Sequence, residues 1–181
     1  WQEIESIAKD KRSTVIWPFG AVEQHGPHLP LATDSIFVDE IISEVFKLFS
    51  PDIPLKKLPT QYIGFSPEHK GFAGTISLSS SLITSIIKEV GVQLSEMGFK
   101  RLILINGHGG QISLLNTAAR ELRSFAPGMA VFPCFLWSGV NGLSDLLTKT
   151  EIENGLHASL AETSLMLALK PELVGDERPN E

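Results

Sequence analysis

The sequence predicts an α/β protein in which a mostly parallel sheet lies between two layers of helices, a three-layer α/β/α arrangement. Short apolar runs of strand length alternate with longer segments whose apolar residues recur at helical spacing. One run, residues 101–105, is almost continuously apolar, which is typical of a central parallel strand that is buried on both faces. No repeat, low-complexity tract or linker divides the 181 residues, so we predict one domain over residues 1–181.

The first half of the chain predicts two extended segments and two helices. A β-branched and aromatic run at residues 14–17 predicts the first strand, which we expect to end at Pro18. Apolar residues at helical spacing predict a helix over residues 35–49, and an extended stretch with two prolines follows at residues 53–63. Residues 81–97 predict the clearest helix, with one apolar stripe and a glycine directly after it as a C-terminal stop.

The second half continues the alternation of strand and helix. After the apolar run at residues 101–105, the pattern predicts a helix over residues 112–125, a strand over residues 130–135 and a helix over residues 159–170. Helices that connect parallel strands cross over the faces of the sheet, so we expect helices on both faces.

The charge and the apolar pattern argue against two classes of partner. With a net charge of −6, the chain has no basic patch that would bind nucleic acid. No apolar run approaches the length needed to cross a bilayer, and the first residues, Trp-Gln-Glu-Ile, do not have the basic-then-apolar pattern that is expected of an export signal. The only cysteine, Cys134, cannot form a disulfide within the chain, and its apolar neighbours predict a buried thiol. We therefore expect a cytoplasmic protein.

The residues with the clearest chemical potential lie in two glycine-rich segments, each directly after a predicted strand. In the first, Glu23 and His25 leave an extended backbone on the same side because they are two residues apart, and Asp34 can fold back across the turn. His108 lies in the second, Asn-Gly-His-Gly-Gly at residues 106–110. Carboxylates and imidazoles bind divalent metals, and ligands of open α/β sheets bind beyond the carboxyl ends of strands. The sequence therefore predicts a metal site formed by both segments.

Two other interpretations of these segments stay open. All five histidines lie in or beside polar, glycine-rich clusters, where a histidine can simply satisfy backbone groups: His25, His28, His69, His108 and His157. The segment at residues 106–110 could also be a phosphate-binding turn, but it lacks the G-x-G-x-x-G spacing and the Walker lysine and hydroxyl pair. A histidine in the middle of the turn suits a metal better, so a metal site is the favoured interpretation.

Five segments closely resemble the creatininase (creatinine amidohydrolase) family: residues 20–34, 66–69, 74–77, 106–110 and 157–164. The resemblance extends from about residue 17 to residue 166. It implies an α/β metalloenzyme with two divalent ions that hydrolyses a cyclic amide, a formamide or a peptide bond. It also implies a homo-oligomer, commonly a hexamer, and a further C-terminal segment that family members have beyond the position of Glu181.

The resemblance also implies the roles of the metal ligands. By motif position, Glu23 and His108 would bind one ion and His25 the other, while Asp34 would bridge the two. A bridging carboxylate can hold two ions close enough to activate a water and to polarise a carbonyl. Mixed carboxylate and imidazole ligands accept zinc, manganese and iron, so the choice of metal stays open.

Further roles follow from the same resemblance. His157 matches the family's catalytic histidine, and we expect it to protonate the departing nitrogen; a histidine that caps a helix is the alternative. Glu162 would act with His157 or complete the second ion's ligands, unless it is an exposed carboxylate of a first helical turn. Ser66 matches a position that contacts substrate, and Glu68 and His69 are expected to hold ligands in place by hydrogen bonds.

The chain departs from creatininase itself near the site. Creatininase has a bulky aromatic residue and a metal-binding glutamate directly after the position of His108, where this chain has Gly109 and Gly110. It also has a glutamate where this chain has Leu156. We expect Gly109 to border the substrate, the second ion to have one protein ligand fewer, and creatinine not to be the substrate.

Three functions therefore compete. The leading prediction is hydrolysis of a small-molecule amide, lactam or formamide by a metal-activated water. The second is a metallopeptidase of peptide-cofactor maturation, of the mycofactocin type. The third is a non-catalytic homologue that binds a metal or another ligand, because one glutamate is missing. Metal analysis combined with a hydrolysis screen separates the third from the other two.

Overall fold

A four-stranded parallel sheet forms the centre of the computed structural model, which describes residues 1–177. In sheet order the strands are β2 (Leu55–Lys57), β1 (Thr14–Phe19), β3 (Arg101–Asn106) and β4 (Ala130–Phe135). Every neighbouring pair is parallel, which confirms the predicted sheet. The chain moves outward from β1 to β2 on one side and from β3 to β4 on the other. The order of the strands therefore reverses between β1 and β3.

Two helical layers enclose the sheet, which confirms the three-layer prediction. The α-helices within residues 1–177 are α1 (Gln2–Ala8), α2 (Thr33–Leu48), α3 (Ser80–Met97), α4 (Ile112–Phe125), α5 (Leu143–Leu146), α6 (Lys149–Asn154) and α7 (Leu160–Leu169). Single 3₁₀ turns lie at Pro67–His69, Gly109–Gln111 and Pro171–Leu173. Helices α3 and α4 cover one face of the sheet. Helix α2 packs on the other, and α7 packs against α2.

The main core lies between the sheet and the layer of α3 and α4. Alternate residues of β1 and β3 point into it and are almost fully buried: Val15, Trp17, Phe19, Leu102 and Leu104. Burying a large apolar side chain stabilises a fold by about 1.5–3 kcal/mol. A smaller cluster around Phe37 and Met166 joins α2 to α7. The two clusters together hold β1, β3, α2 and α7 in place.

Most predicted elements are found within one residue of their expected bounds, but three differ. Strand β1 continues through Pro18, whose carbonyl accepts the Gln61 N–H on the side where β2 has already ended. Proline has no backbone N–H, but an N–H at this position would point to that same side, where β2 has ended. The sheet therefore loses no hydrogen bond between strands. Helix α2 begins earlier than predicted, at Thr33, and therefore carries Asp34 in its first turn. Of the extended stretch at residues 53–63, only β2 forms a strand.

The predictions that β3 is buried on both faces and that Cys134 is buried are wrong. Leu102 and Leu104 are fully buried, but Ile103, on the opposite face, is only partly buried. Ile103 lies beside Phe132 in the sheet, and Phe132 is 45% exposed. Cys134 is exposed on the same side of β4. The reason is that α2 packs on β1 and covers only part of this face.

Helices α1, α5 and α6 are absent from the sequence prediction. They have 7, 4 and 6 residues, which is too short for an apolar period to be visible. Within the described part of the chain, every helix is too short or too polar to cross a membrane. Residues 178–181 of the predicted domain lie outside the described residues.

Candidate metal centre and active site

The predicted ligand residues meet at the carboxyl ends of β1 and β3, where the strand order reverses. Phe19 and Asn106 end the two strands side by side, and the Gly107 N–H donates to the Phe19 carbonyl at 2.9 Å. Gly107 also lets α2 approach, since a β-carbon there would lie 2.6 Å from the Asp34 carbonyl oxygen. The structure thereby brings together the four predicted metal ligands, which are all buried: Glu23, His25, Asp34 and His108.

Glu23, Asp34 and His108 form the first group of possible ligands. His108 Nδ1 lies 3.1 Å from Glu23 Oε1 and 3.1 Å from Asp34 Oδ2. The other ring nitrogen, Nε2, donates to the Phe65 carbonyl at 3.1 Å. In the neutral ring, the lone pair of Nδ1 therefore faces two carboxylate oxygens. Such an arrangement needs a proton or a cation between these atoms.

His25, Asp34 and Glu162 form the second group, with ligand atoms within 4.8 Å of one another. His25 Nε2 lies 3.3 Å from Asp34 Oδ1, while its Nδ1 donates to the Glu23 carbonyl at 3.2 Å. This hydrogen bond leaves Nε2 as the lone-pair nitrogen of the neutral ring. The two oxygens of Asp34 are directed at different histidines, so this carboxylate belongs to both groups.

Four ligand atoms of the two groups are buried without a hydrogen-bond partner in residues 1–177: Glu23 Oε1, His25 Nε2, Asp34 Oδ2 and Glu162 Oε2. An unpaired buried polar atom costs about 1–3 kcal/mol, and more when it is charged. Several such atoms directed at one place favour a cation there. Carboxylate oxygens and imidazole nitrogens are ligands of zinc, manganese and iron. The residues present therefore fit divalent ions.

The ionisation of the first group agrees with this fit. Burial would raise the pKa of Glu23, but His108, Ser66 and His69 lower it overall and keep the carboxylate ionised. Burial would lower the pKa of His108, yet Asp34 and Glu23 beside it raise it to about 10. Without ions, His108 thus holds a proton, which a metal must displace in order to bind.

Two buried amides, which the sequence pattern did not single out, hold the turn that carries His108. Asn106 Oδ1 accepts the His108 backbone N–H at 3.0 Å, and Asn106 Nδ2 donates to the His108 carbonyl at 2.8 Å. Gln111 Nε2 donates to Asn106 Oδ1 and to the Gly20 carbonyl, each at 3.0 Å. These bonds join the turn to the segment after β1. Their signal in the sequence is an amide residue at each side of Gly-His-Gly-Gly.

Ser66 and His69 both contact Glu23. Ser66 Oγ donates to Glu23 Oε2, and His69 Nδ1 donates to the same oxygen at 2.9 Å. Ser66 is fully buried. Among the described residues, it is not one of those that line the cavity over the centre. The hydroxyl of Ser66 is directed at Glu23, and its contact with substrate stays a prediction. His69 occupies the place expected of a residue that orients a ligand.

Glu68 approaches His108 from the side away from the two groups. Glu68 Oε1 lies 3.2 Å from His108 Nε2, and the Glu68 side chain is 39% exposed. Its carboxylate occupies the space above Gly110, where a β-carbon would lie 1.7 Å from Glu68 Oε1. Gly109, in contrast, has open space around a β-carbon and lines the cavity.

His157 reaches the centre from the segment before α7. Its Nε2 donates to the Gln24 carbonyl at 2.6 Å, so Nδ1 carries the lone pair of the neutral ring, 3.8 Å from Glu23 Oε1. The ring stacks on His69 with centroids 4.2 Å apart. Burial lowers the pKa of His157, and a neighbouring imidazole lowers it further. The cap of α7 is Ser159, so the alternative of a helix-capping histidine does not hold.

Glu162 lies in the first turn of α7, where its backbone N–H donates to the Ser159 side chain. Its Oε2 atom is buried, so the alternative of an exposed first-turn carboxylate does not hold either. Burial raises the pKa of Glu162. The N-cap of α7 therefore directs this carboxylate towards His25 and Asp34.

A cavity of about 510 Å³ opens over the polar centre. Much of its lining is apolar and comes from the end of β4, from α5 and α6, and from the segments beside them: Phe135, Trp137, Leu143, Leu147, Ile152 and Leu156. Leu156 is 84% exposed. The sequence does not predict most of this lining, because short helices give no periodic signal. The cavity can therefore bind a molecule that has a polar bond at the centre and an apolar group beside it.

The fold and this centre define an α/β protein with carboxylate and imidazole groups that could hold a metal ion at the carboxyl ends of parallel strands. A family model described as creatininase, creatinine amidohydrolase, matches residues 1–181. The chain belongs to the creatininase family, whose members include hydrolases that act on C–N bonds.

Several characterised proteins are similar to this chain. The mycofactocin precursor peptide peptidase of Mycobacterium tuberculosis (strain CDC 1551 / Oshkosh) is 33% identical over 171 residues, which cover 91% of this chain and 62% of the peptidase. The chain thus spans less than two thirds of that relative. Creatinine amidohydrolase of Pseudomonas putida is 29% identical, covering 98% of this chain and 72% of the relative. A solved structure described as "Creatininase Mn" is 27% identical with a TM-score of 0.80, covering 100% and 76% of the two chains.

Proposed function

We propose that the protein hydrolyses an amide bond with two divalent ions, held by Glu23, His25, Asp34, His108 and Glu162. The observation that carries the proposal is the convergence of four buried ligand atoms without hydrogen-bond partners in residues 1–177. Glu23 and His108 would hold one ion, His25 and Glu162 the other, and Asp34 both. Glu162 would then take the place of the glutamate that creatininase has at the position of Gly110.

The residues around the ligands keep them in a fixed orientation. Divalent ions bound here would supply an activated water and polarise the carbonyl of the amide. Ser66 and His69 hold Glu23 through its Oε2 atom, which leaves Oε1 for an ion. The Phe65 carbonyl and Glu68 hold His108 through Nε2, which leaves Nδ1 for an ion. Partners of this kind commonly change metal affinity by about 10–100-fold.

His157 is proposed to move protons. Its Nε2 is fixed on the Gln24 carbonyl, and its Nδ1 faces the centre. Nδ1 would accept a proton from the attacking water and deliver it to the departing nitrogen, which cannot leave as an anion. The lowered pKa of His157 keeps Nδ1 unprotonated near neutral pH, so it can accept the first proton.

The proposed substrate is a small amide, lactam or formamide other than creatinine. Gly109, Gly110 and Leu156 provide neither the aromatic ring nor the carboxylates that creatininase has at these positions. A peptide bond is the second candidate. It is supported by the apolar lining of the cavity and by the 33% identity to a peptidase.

The test is a hydrolysis screen of protein whose metal content is known. The protein is stripped with a chelator, loaded in turn with zinc, manganese or ferrous iron, and its metal-to-protein ratio is measured. Each form is then incubated with cyclic amides, formamides and short peptides. We expect hydrolysis of at least one class by a loaded form and none after stripping. Loaded protein that hydrolyses nothing would favour the non-catalytic homologue.

We also propose that the chain acts as a homo-oligomer in the cytoplasm. The open face of β4, with Phe132 and Cys134 exposed, is compatible with burial against another copy. Light scattering coupled to size-exclusion chromatography measures the oligomeric state directly. A monomer at all concentrations tested would contradict this part of the proposal.

A further inference from the structure

The carboxylates that line the cavity are not balanced by lysine or arginine side chains. Among residues 1–177, the lining includes neither lysine nor arginine, but it includes five carboxylates: Glu23, Asp34, Glu68, Glu151 and Glu162. Three of these belong to the proposed ion ligands. Glu151 Oε1 accepts the Ala161 backbone N–H at 3.2 Å and so serves the start of α7. Glu68 is the remaining carboxylate. It lies outside the two proposed ligand groups, although it forms a further group of possible ligands with Glu23 and His69.

Glu68 has a fixed position at the edge of the cavity. Its Oε1 lies 3.2 Å from His108 Nε2, and its turn is tied to Glu23 through the hydrogen bond from His69. His108 is its only ion-pair or hydrogen-bond partner within the described part of the chain. Because Gly110 has no side chain, the carboxylate lies directly over the backbone beside His108. One part of the carboxylate is therefore free to bind a donor in the cavity.

We propose that Glu68 selects substrates that carry a positively charged amine next to the scissile amide, together with an apolar group. This inference rests on the proposed amide hydrolysis at the same centre. A charged amine would form a charge-assisted hydrogen bond with Glu68. A substrate with a carboxylate at that place would face an acidic lining and be repelled. The apolar group would pack against the side chains from α5 and α6.

The experiment compares two amides that differ only in the amine. L-leucinamide carries the amine, an isobutyl group and a primary amide, and 4-methylpentanamide has the same skeleton without the amine. Ammonia release by metal-loaded protein gives kcat and KM for each. The decisive variant is Glu68→Gln, which keeps a hydrogen-bond acceptor for His108 but loses the charge. Glu153→Gln is the matched control, since Glu153 is an exposed carboxylate of α6 outside the cavity lining.

We expect the wild-type protein to prefer L-leucinamide. Glu68→Gln should lower kcat/KM for L-leucinamide by about 10- to 100-fold, mainly through KM, the usual effect of losing a hydrogen bond to a charged group. Any effect of Glu68→Gln on His108 falls on both amides alike, so the loss for L-leucinamide should exceed the loss for 4-methylpentanamide by this factor, and Glu153→Gln should change neither. An equal loss for both amides would overturn the inference, because Glu68 would then only orient His108. An absence of preference in the wild type, or cleavage of other amides but neither probe, would overturn it too.

A binding measurement separates this inference from the proposed function. Isopentylamine and isopentanol share an apolar group and differ in charge, and their affinities for metal-loaded protein are measured by titration in the NMR spectrometer. Tighter binding of the amine, lost in Glu68→Gln, supports the selection even if no amide is hydrolysed. In that case the proposed hydrolysis would be contradicted, whereas the selection by Glu68 would be supported. Equal binding of the amine by both proteins would overturn the selection while leaving the hydrolysis intact.

Discussion

Asp34 is the residue on which both ligand groups depend, because its two oxygens face different histidines. We predict that Asp34→Ala loses both ions, whereas His25→Ala mainly loses one. Metal-to-protein ratios after dialysis measure this difference. Asp39→Asn is a control on the same helix, since Asp39 pairs with Lys57 at 2.6 Å, outside the ligand groups. Unchanged metal content in Asp34→Ala would contradict the bridging role.

His157 is predicted to affect turnover rather than metal content. Its Nδ1 atom lies 3.8 Å from Glu23 Oε1, and we assign it to the proton transfers although it also forms a group of possible ligands with Glu23 and His25. His157→Ala should keep the ions and lose about 10²–10⁴-fold in kcat, the usual range for general acid–base catalysis. Metal analysis and turnover are measured on the same preparation. A metal-free variant would identify His157 as a ligand instead.

Gly110 and Gly109 are neighbours with opposite surroundings, and they give a matched pair of substitutions. A β-carbon at Gly110 would lie 1.7 Å from Glu68 Oε1 and 2.6 Å from His108 Nε2, so Gly110→Ala must displace both side chains. We expect a loss of about 10–100-fold in metal affinity, as for other changes in the partners of metal ligands. Gly109→Ala should have no such effect, since the space around it is open. Equal metal affinity of both variants, measured by competition with a chelator, would contradict the role of Glu68.

At the scale of the elements, long periodic segments were predictable and one important boundary was not. Helix α3 has a full apolar stripe and ends before Gly98, which is left-handed with φ of 109°, so both features are visible in the sequence. Helix α2 begins after Ala32, whose side chain makes no cap. Asp34 is itself a typical N-cap residue, so the pattern places the helix after it. The structure instead places Asp34 within the first turn, directed at the centre.

The two faces of the sheet are predicted to differ in their contribution to stability. Leu104 is fully buried under α3 and α4, so Leu104→Ala should lower the free energy of unfolding by about 2–5 kcal/mol. Phe132 is 45% exposed on the open face, and Phe132→Ala should cost about 1 kcal/mol or less in the monomer. Denaturant unfolding at low protein concentration measures both. A cost for Phe132→Ala as large as that for Leu104→Ala would mean that another copy covers this face.

At the scale of the whole molecule, the sequence predicted which polar residues meet but not the cavity above them. Glu23 and His108 directly follow strands, and parallel strands end at one edge, so their meeting could be inferred. The apolar lining comes from α5, α6 and the segments beside them, whose positions depend on tertiary packing. The direction of the Ser66 hydroxyl, towards Glu23, also depends on packing.

Creatinine is predicted to be a poor substrate of the whole protein. The cavity has Gly109 and Gly110 beside the centre and an exposed Leu156, so a small polar ring would lose hydrogen-bonding partners. Missing partners of this kind can cost several powers of ten in selectivity. We expect creatinine to be hydrolysed with kcat/KM well below about 10⁴ M⁻¹s⁻¹, the lower end of the ordinary enzyme range. A higher value, measured with any of the three metals loaded, would contradict this prediction.

Because the proposed ligands come from distant segments, the supply of metal affects the stability of the folded protein. The residues Glu23 and Asp34, His108, and Glu162 come from three parts of the chain that meet only when the sheet and its crossing helices are complete. If the centre binds ions as proposed, the unfolded chain cannot offer the same set of ligands. Each tenfold rise of free ion above the dissociation constant then adds about 1.4 kcal/mol to the free energy of unfolding. A cell short of the metal would thus hold less of the folded protein, and the same ion that makes it active would also govern its lifetime.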